Sequence, residues 1–309
     1  NIQTYALDRL ERGNSKVIST KSNFFRNKVQ KRKIFDEKEF VYINKKNEIV
    51  PPETGSIVVM DVNTGEVICS VSSPHFNPNI FSRGVNFKEW ENIKNNEKSP
   101  LLNRSVAGLY PPGSTIKMAI ALAALENDII SHNTRFFCSG VKEFGDMKFH
   151  CWTKHGHGNM NMTQAIERSC DVYFYELGLK VGIEKIALML NKLGLGNILN
   201  LESNELTKGL VPNKLWKFKK QGTRWTPGET INASIGQGYM LVSPIQLATM
   251  TARIANGSLS VHPTLIANNN LNFKKLDINP AHINFVKNAM IRVVNSKNGT
   301  AKNSKINNS

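Results

Sequence analysis

Residues 118–125 read Met-Ala-Ile-Ala-Leu-Ala-Ala-Leu, eight positions without one polar side chain. The run is far shorter than the ~18–20 apolar residues that cross a bilayer, so a chain that contains it must enclose it as a buried helix. Pro111-Pro112-Gly113 leads into it, and Pro and Gly just before an apolar run mark a helix start. The pattern predicts a helix over residues 113–127 with Ile116, Ile120, Ala123 and Ala124 on one face. A chain of 309 residues with 40% hydrophobic content can bury a sizeable core around it. No segment is long and apolar enough to be a transmembrane helix or a signal peptide.

Other elements follow from local pattern. Residues 2–11 predict a short amphipathic helix that packs through Tyr5, Leu7 and Leu10 and stops at Gly13. Residues 14–54 read as a charged, Asn-rich connector or insertion, in which Phe35, Phe40, Tyr42 and Ile43 form at most a small hairpin. Residues 56–61 and 66–71 are rich in β-branched side chains and flank Asn63-Thr-Gly65, which predicts a hairpin in a buried sheet. Helices are predicted over 162–179, over 183–193 with Gly194 as the stop, over 244–255 and over 280–294. The organisation is a linker helix with a basic insertion (1–54), then an α+β domain (55–309).

The formal charge of +16 raises the question of nucleic acid. Residues 13–50 hold ten Lys/Arg against four Asp/Glu, and residues 287–309 hold five against none. Eleven of the sixteen excess charges therefore lie in two segments, and no zinc-finger, RRM or helix-turn-helix pattern accompanies them. The charge reads as solvated surface, with no nucleic-acid partner.

The polar residues next to the apolar helix carry the chemistry. In Tyr110-Pro-Pro-Gly-Ser-Thr-Ile-Lys117, Ser114 and Lys117 are three residues apart and share a helix face. Ser114 falls in the first turn, where free N–H groups favour a developing oxyanion. A desolvated Lys117 can give up its proton and act as base. A capped helix start accounts for the same residues. Ser-x-x-Lys alone is unspecific, since Ser139-Gly-Val-Lys142 repeats it in what reads as a surface loop. Ser169-Cys170-Asp171, just before the apolar Val172-Tyr-Phe-Tyr175, is a second polar set. Such groups need partners when buried, and a lysine across a cleft is one; Ser169 as a simple N-cap is the other reading.

These motifs, with Ile235-Gly-Gln-Gly-Tyr239 and Ser243-Pro-Ile-Gln246, resemble the class B penicillin-binding proteins. Val59-Met-Asp-Val-Asn-Thr-Gly-Glu66, Ser73-Pro-His-Phe-Asn-Pro78, Pro100-Leu-Leu-Asn-Arg104 and Gly156-His-Gly158 narrow the resemblance to the penicillin-binding protein 2 subgroup. The resemblance implies the penicillin-binding protein/serine β-lactamase-like transpeptidase fold, an antiparallel sheet flanked by helices. It also implies that Ser114 is acylated by stem peptides ending in D-Ala-D-Ala and by β-lactams. Lys117 is then the base, Ser169 relays protons and Asp171 orients Ser169 and the substrate. Catalysis needs no cofactor. Elongation-complex membrane proteins, a glycosyltransferase among them, are the implied partners, at the periplasmic face of the inner membrane with an anchor preceding Asn1. A serine β-lactamase shares the first motif, but no deacylating Glu is evident; a catalytically incomplete penicillin-binding scaffold is the alternative from another class.

The family's third motif, Lys-Thr/Ser-Gly on a strand, is not matched. Lys297-Asn-Gly-Thr300 comes near it, but Asn, Ser and Lys surround the lysine where β-formers are expected. It resembles instead the stretch that the family places shortly before its third motif. The domain is therefore expected to lack its C-terminal strands.

Of the four cysteines, Cys69 sits in a predicted strand as a small core residue, while Cys138, Cys151 and Cys170 cluster with histidines. Three thiolates and the imidazole of His157 satisfy a tetrahedral structural zinc; a disulfide with one free thiol is the other reading. The resemblance implies zinc at Cys151, His157 and Cys170, with Cys138 aligned less securely. His155 rivals His157, which is preferred for its flanking glycines.

Overall fold

The computed structural model describes residues 2–13, 54–203, 205–267 and 272–306. The basic insertion, with the hairpin expected around Phe35 to Ile43, lies outside the described residues. Two compact units are formed: residues 1–59 with 67–108, and residues 60–66 with 109–309.

In the first unit, helix α1 (Ile2–Gly13) packs on strand β2 (Val67–Ser73), which pairs with β1 (Gly55–Met60). Ala6, Leu7 and Leu10 meet Cys69, Val71 and Ile57 in a small core. Gln3 stands in for a further strand: its amide donates to Ser70 O at 2.6 Å and accepts from Ser70 N at 3.0 Å. Tyr5, expected in this packing, is exposed and holds Arg9 instead. The sheet is also less enclosed than expected. Cys69, Val71 and Ser73 alternate inward on β2, but β1 contributes no buried residue. Two short helices follow, α2 (Asn79–Ser82) and α3 (Phe87–Lys94), the second closed by an Asn86–Glu89 capping box.

The second unit is built round α4 (Lys117–Glu126), whose residues 119–124 are 0% exposed. The sequence predicts one buried face; every face is buried because α4 is enclosed by neighbours on all sides. Its entry is tighter than expected, a 3₁₀ turn over Gly113–Ile116 with the α-helix starting only at Lys117.

Two short antiparallel ribbons follow, β3 (Phe136–Cys138) with β6 (Gly158–Met160) and β4 (Val141–Phe144) with β5 (Met147–His150). Lys142 of the second Ser-x-x-Lys is on β4 and pairs with Glu176 at 2.6 Å, whereas Ser139 is exposed in the preceding loop.

The helix expected over 162–179 is broken into α5 (Met162–Glu167) and α6 (Asp171–Val181). Ser169 takes φ 52° and Cys170 is extended, which ends one helix and caps the next. Helices α7 (Ile183–Lys192), α8 (Lys214–Gln221), α9 (Pro227–Ala233), α10 (Pro244–Ala255) and α11 (Pro280–Asn295) complete the unit. Helices α6, α7 and α11 all pack against α4, and the whole is α+β.

Candidate active site

The 3₁₀ entry decides where the serine points. Gly113 takes φ 59°, and Thr115 Oγ1 ties back to Pro112 O at 2.7 Å. The turn leans on a second one: Gly113 N donates to Gly236 O at 3.0 Å. A Cβ on Gly236 would stand 2.2 Å from Gly113 O, so only glycine allows this approach. Ser114 is left exposed on a cavity of about 680 Å³ that is also lined by Trp152, Ser169, Asp171 and residues 297–300.

Lys117, one turn further, is 2% exposed. An ammonium has three protons to place, and three acceptors receive them: Asp171 Oδ1 at 2.6 Å, Ser169 Oγ at 3.0 Å and Ser169 O at 3.0 Å. Burial pulls the Lys117 pKa below its ordinary value, and the Asp171 carboxylate opposes that pull without cancelling it. The other Asp171 oxygen accepts from Trp152 N at 3.0 Å, and the Trp152 indole N–H donates to Ser169 O at 3.1 Å. The loop holding Trp152 thus clamps the α5–α6 break. A second cavity of about 330 Å³ has Ser114, Lys117, Ser169 and Thr300 among its lining residues, with apolar Ile166, Met290 and Val293.

Ser114, Lys117, Ser169 and Asp171 are therefore brought together. Sequence reasoning did not find Trp152, and it set Lys297-Asn-Gly-Thr300 aside as the stretch before a third motif without giving it a place in the site. Lys297-Asn-Gly-Thr300 lies on no strand, in the turn after α11, and still lines the cleft. Its contact with the site is tertiary, and nothing local announces it.

Behind the break, Cys138, Cys151, His157 and Cys170 place their ligand atoms within 4.8 Å of one another. All four cysteines are free thiols, so the disulfide reading does not describe this structure. His157 Nδ1 is 3.7 Å from Cys138 Sγ and 3.5 Å from Cys151 Sγ, while its Nε2 meets Thr153 Oγ1 at 3.2 Å. The mutual contact of Cys151 and Cys170 lowers the pKa of the first and raises that of the second, and burial adds to the rise. Tetrahedral zinc with Zn–S near ~2.3 Å sets its ligands about 3.7 Å apart, which this spacing fits. His155 is exposed and outside the cluster.

The penicillin binding protein transpeptidase domain matches residues 55–308, and the chain belongs to that family. Within it the chain is similar to the peptidoglycan D,D-transpeptidase MrdA of Acinetobacter baumannii, 42% identical over 214 residues that make up 69% of this chain. The Pseudomonas aeruginosa penicillin-binding protein PBP2, solved in complex with WCK 5153, superposes with a TM-score of 0.76 at 36% identity, over 81% of this chain and 59% of that one. A complex of Helicobacter pylori PBP2 with MreC gives 0.77 at 34% identity, over 85% of this chain and 56% of that one. The chain spans about a third of the A. baumannii relative, 32% of its length.

Proposed function

We propose that the chain carries the acyl-serine centre of a peptidoglycan D,D-transpeptidase of the penicillin-binding protein 2 kind. The observation that carries the reading is the Lys117 ammonium, buried beside Ser114's turn and hydrogen-bonded to both Ser169 Oγ and Asp171. In its neutral form Lys117 accepts the Ser114 hydroxyl proton while Ser114 Oγ attacks the carbonyl carbon of the penultimate D-Ala. As the tetrahedral intermediate collapses, the carbon–nitrogen bond breaks. A proton returned through Ser169 lets the terminal D-Ala leave as an amine. An amine of a neighbouring stem then attacks the Ser114 ester; the new amide forms and the proton goes back to Ser114. Asp171 keeps Lys117 and Ser169 in register throughout. A β-lactam follows the first half, but its ring nitrogen stays tethered, so the adduct persists.

Cys138, Cys151, His157 and Cys170 would hold a structural zinc, which cross-ties the 138–157 ribbons to the start of α6 and takes no part in the reaction. Thr153 orients the imbedded imidazole from its far nitrogen. The relatives support membrane partners of the elongation machinery, since one solved structure joins PBP2 to MreC and another is of a peptidoglycan synthase complex for polymerization and crosslinking. Partners of that kind support a site at the periplasmic face of the inner membrane. Among the described residues no helix is long and apolar enough to cross it.

Turnover separates an enzyme from a penicillin-binding scaffold. With a stem peptide ending in D-Ala-D-Ala and an amine acceptor, free D-Ala and the cross-linked peptide should appear together, and neither with Ser114→Ala. Penicillin capture by protein that releases no D-Ala would support the scaffold instead.

A further inference from the structure

Glu167 ends α5 and is 2% exposed. A carboxylate buried so far needs partners, and both of its come from the far end of α11. Ser296 Oγ donates to Oε1 at 2.6 Å and Arg292 Nε donates to Oε2 at 2.6 Å. The Glu167 carbonyl accepts a third bond, from Thr300 N at 3.3 Å. One residue therefore joins the helix that leads to Ser169 with the turn whose Lys297, Asn298 and Thr300 line the cleft beside Ser114.

The turn's own shape has a separate origin. A Cβ on Gly299 would lie 2.1 Å from Val293 O, and Ala301 N donates to that same oxygen at 3.0 Å. Residues 297–300 are thus folded tightly onto the last turn of α11, as one piece. Glu167 tethers that piece to the α5–α6 break, where Ser169 and Asp171 stand. Its side chain reaches neither the reacting serine nor the cleft lining, so any effect on the reaction acts through the turn.

We propose that Glu167 is a positioning residue of this site: through Ser296 and Arg292 its carboxylate sets the 297–300 turn as a wall of the substrate cleft. The proposal rests on the acyl-serine reading above. Lys117, Ser169 and Asp171 hold one another, and the Gly113 turn sets Ser114, all without this wall, so its loss loosens how a substrate is held and leaves the bond-forming step nearly intact.

The test splits penicillin acylation of the intact protein into its two constants, the binding constant and the limiting rate at saturation. Glu167→Gln should weaken binding about tenfold, the order expected for a cleft wall shifted by part of an ångström, with the limiting rate within about threefold of the parent. The pair Ser296→Ala with Arg292→Met cuts the tether from its other end and should do the same. Combining all three changes should add nothing further. The pair variant alone carries the test if Glu167→Gln does not fold. Parental binding in the variants would overturn the proposal, as would a limiting rate that falls in step with binding. A parent protein that takes up no penicillin would instead overturn the acyl-serine reading, and this role with it.

Discussion

Ser169-Cys170-Asp171 has two sides, and they solve the burial of polar atoms in opposite ways. Toward the cleft, Ser169 and Asp171 meet a lysine, and the charges neutralise one another within the protein. Toward the ribbons, Cys170 meets two thiols and an imidazole, four donor atoms that a divalent cation suits and that one another do not. The backbone makes this possible. With Ser169 at φ 52° and Cys170 extended, successive side chains leave on different sides of a helix break. The lesson is that one short helix break faces two ways, so what organises the cysteines behind it is expected to bear on how Ser169 and Asp171 face Lys117.

The comparison can be broken most severely from the cleft side. Lys117→Met should slow penicillin acylation about 10³-fold, the range of a lost general base. It also leaves Asp171 buried without its partner, at a cost of ~3–5 kcal/mol, to be read in the denaturant midpoint. From the ribbon side the effect should be smaller. Elemental analysis should find one zinc per chain, and a strong chelator or Cys170→Ser should remove it, lower the melting temperature and slow acylation about tenfold. Acylation that continues at the parental rate after zinc loss would mean the two sides are uncoupled.

The pH dependence sharpens the same contrast. Lys117 acts as base only when neutral, and burial holds its pKa below the ordinary lysine value. The acylation rate should therefore rise with pH through that lowered pKa and level off above it. In Asp171→Asn the carboxylate no longer opposes the pull of burial, so the rising limb should move to lower pH. A limb that moves upward would contradict the assigned roles; stopped-flow with a chromogenic cephalosporin reads it. The smallest effect is expected at Asn161, which caps α5 in a box with Gln164. Asn161→Ala should cost about 1 kcal/mol of stability and leave the acylation constants alone.

Much of this was legible in the sequence, for reasons that differ by region. The apolar run after Pro-Pro-Gly announced α4, and Pro at the first helical position announced α10 and α11. The four polar residues of the cleft and the four ligand atoms of the cluster were all named from motif and resemblance, and the structure places each set together. The break between α5 and α6 was legible only as one of two readings, the one in which Ser169 caps a new helix, against a helix running over 162–179. The break contains neither Gly nor Pro, and the residues on both sides keep an unbroken apolar rhythm. Strands of three or four residues, such as those of the two ribbons, are too short to show a period of two. Helix α8 carries lysine at four of its eight positions, which hides its capped start at Asn213. The cleft wall at 297–300 depends on Glu167, 130 residues earlier in the chain, and only the folded structure joins them.

The central claim is that Ser114 is the nucleophile and Lys117 its base. The most direct test is the intact mass of the protein after incubation with a penicillin, followed by mapping of the modified peptide. The account predicts a gain of one ligand on the peptide containing Ser114, absent in Ser114→Ala. Folded protein that gains no mass, or a Ser114→Ala variant that gains the same mass, would contradict it.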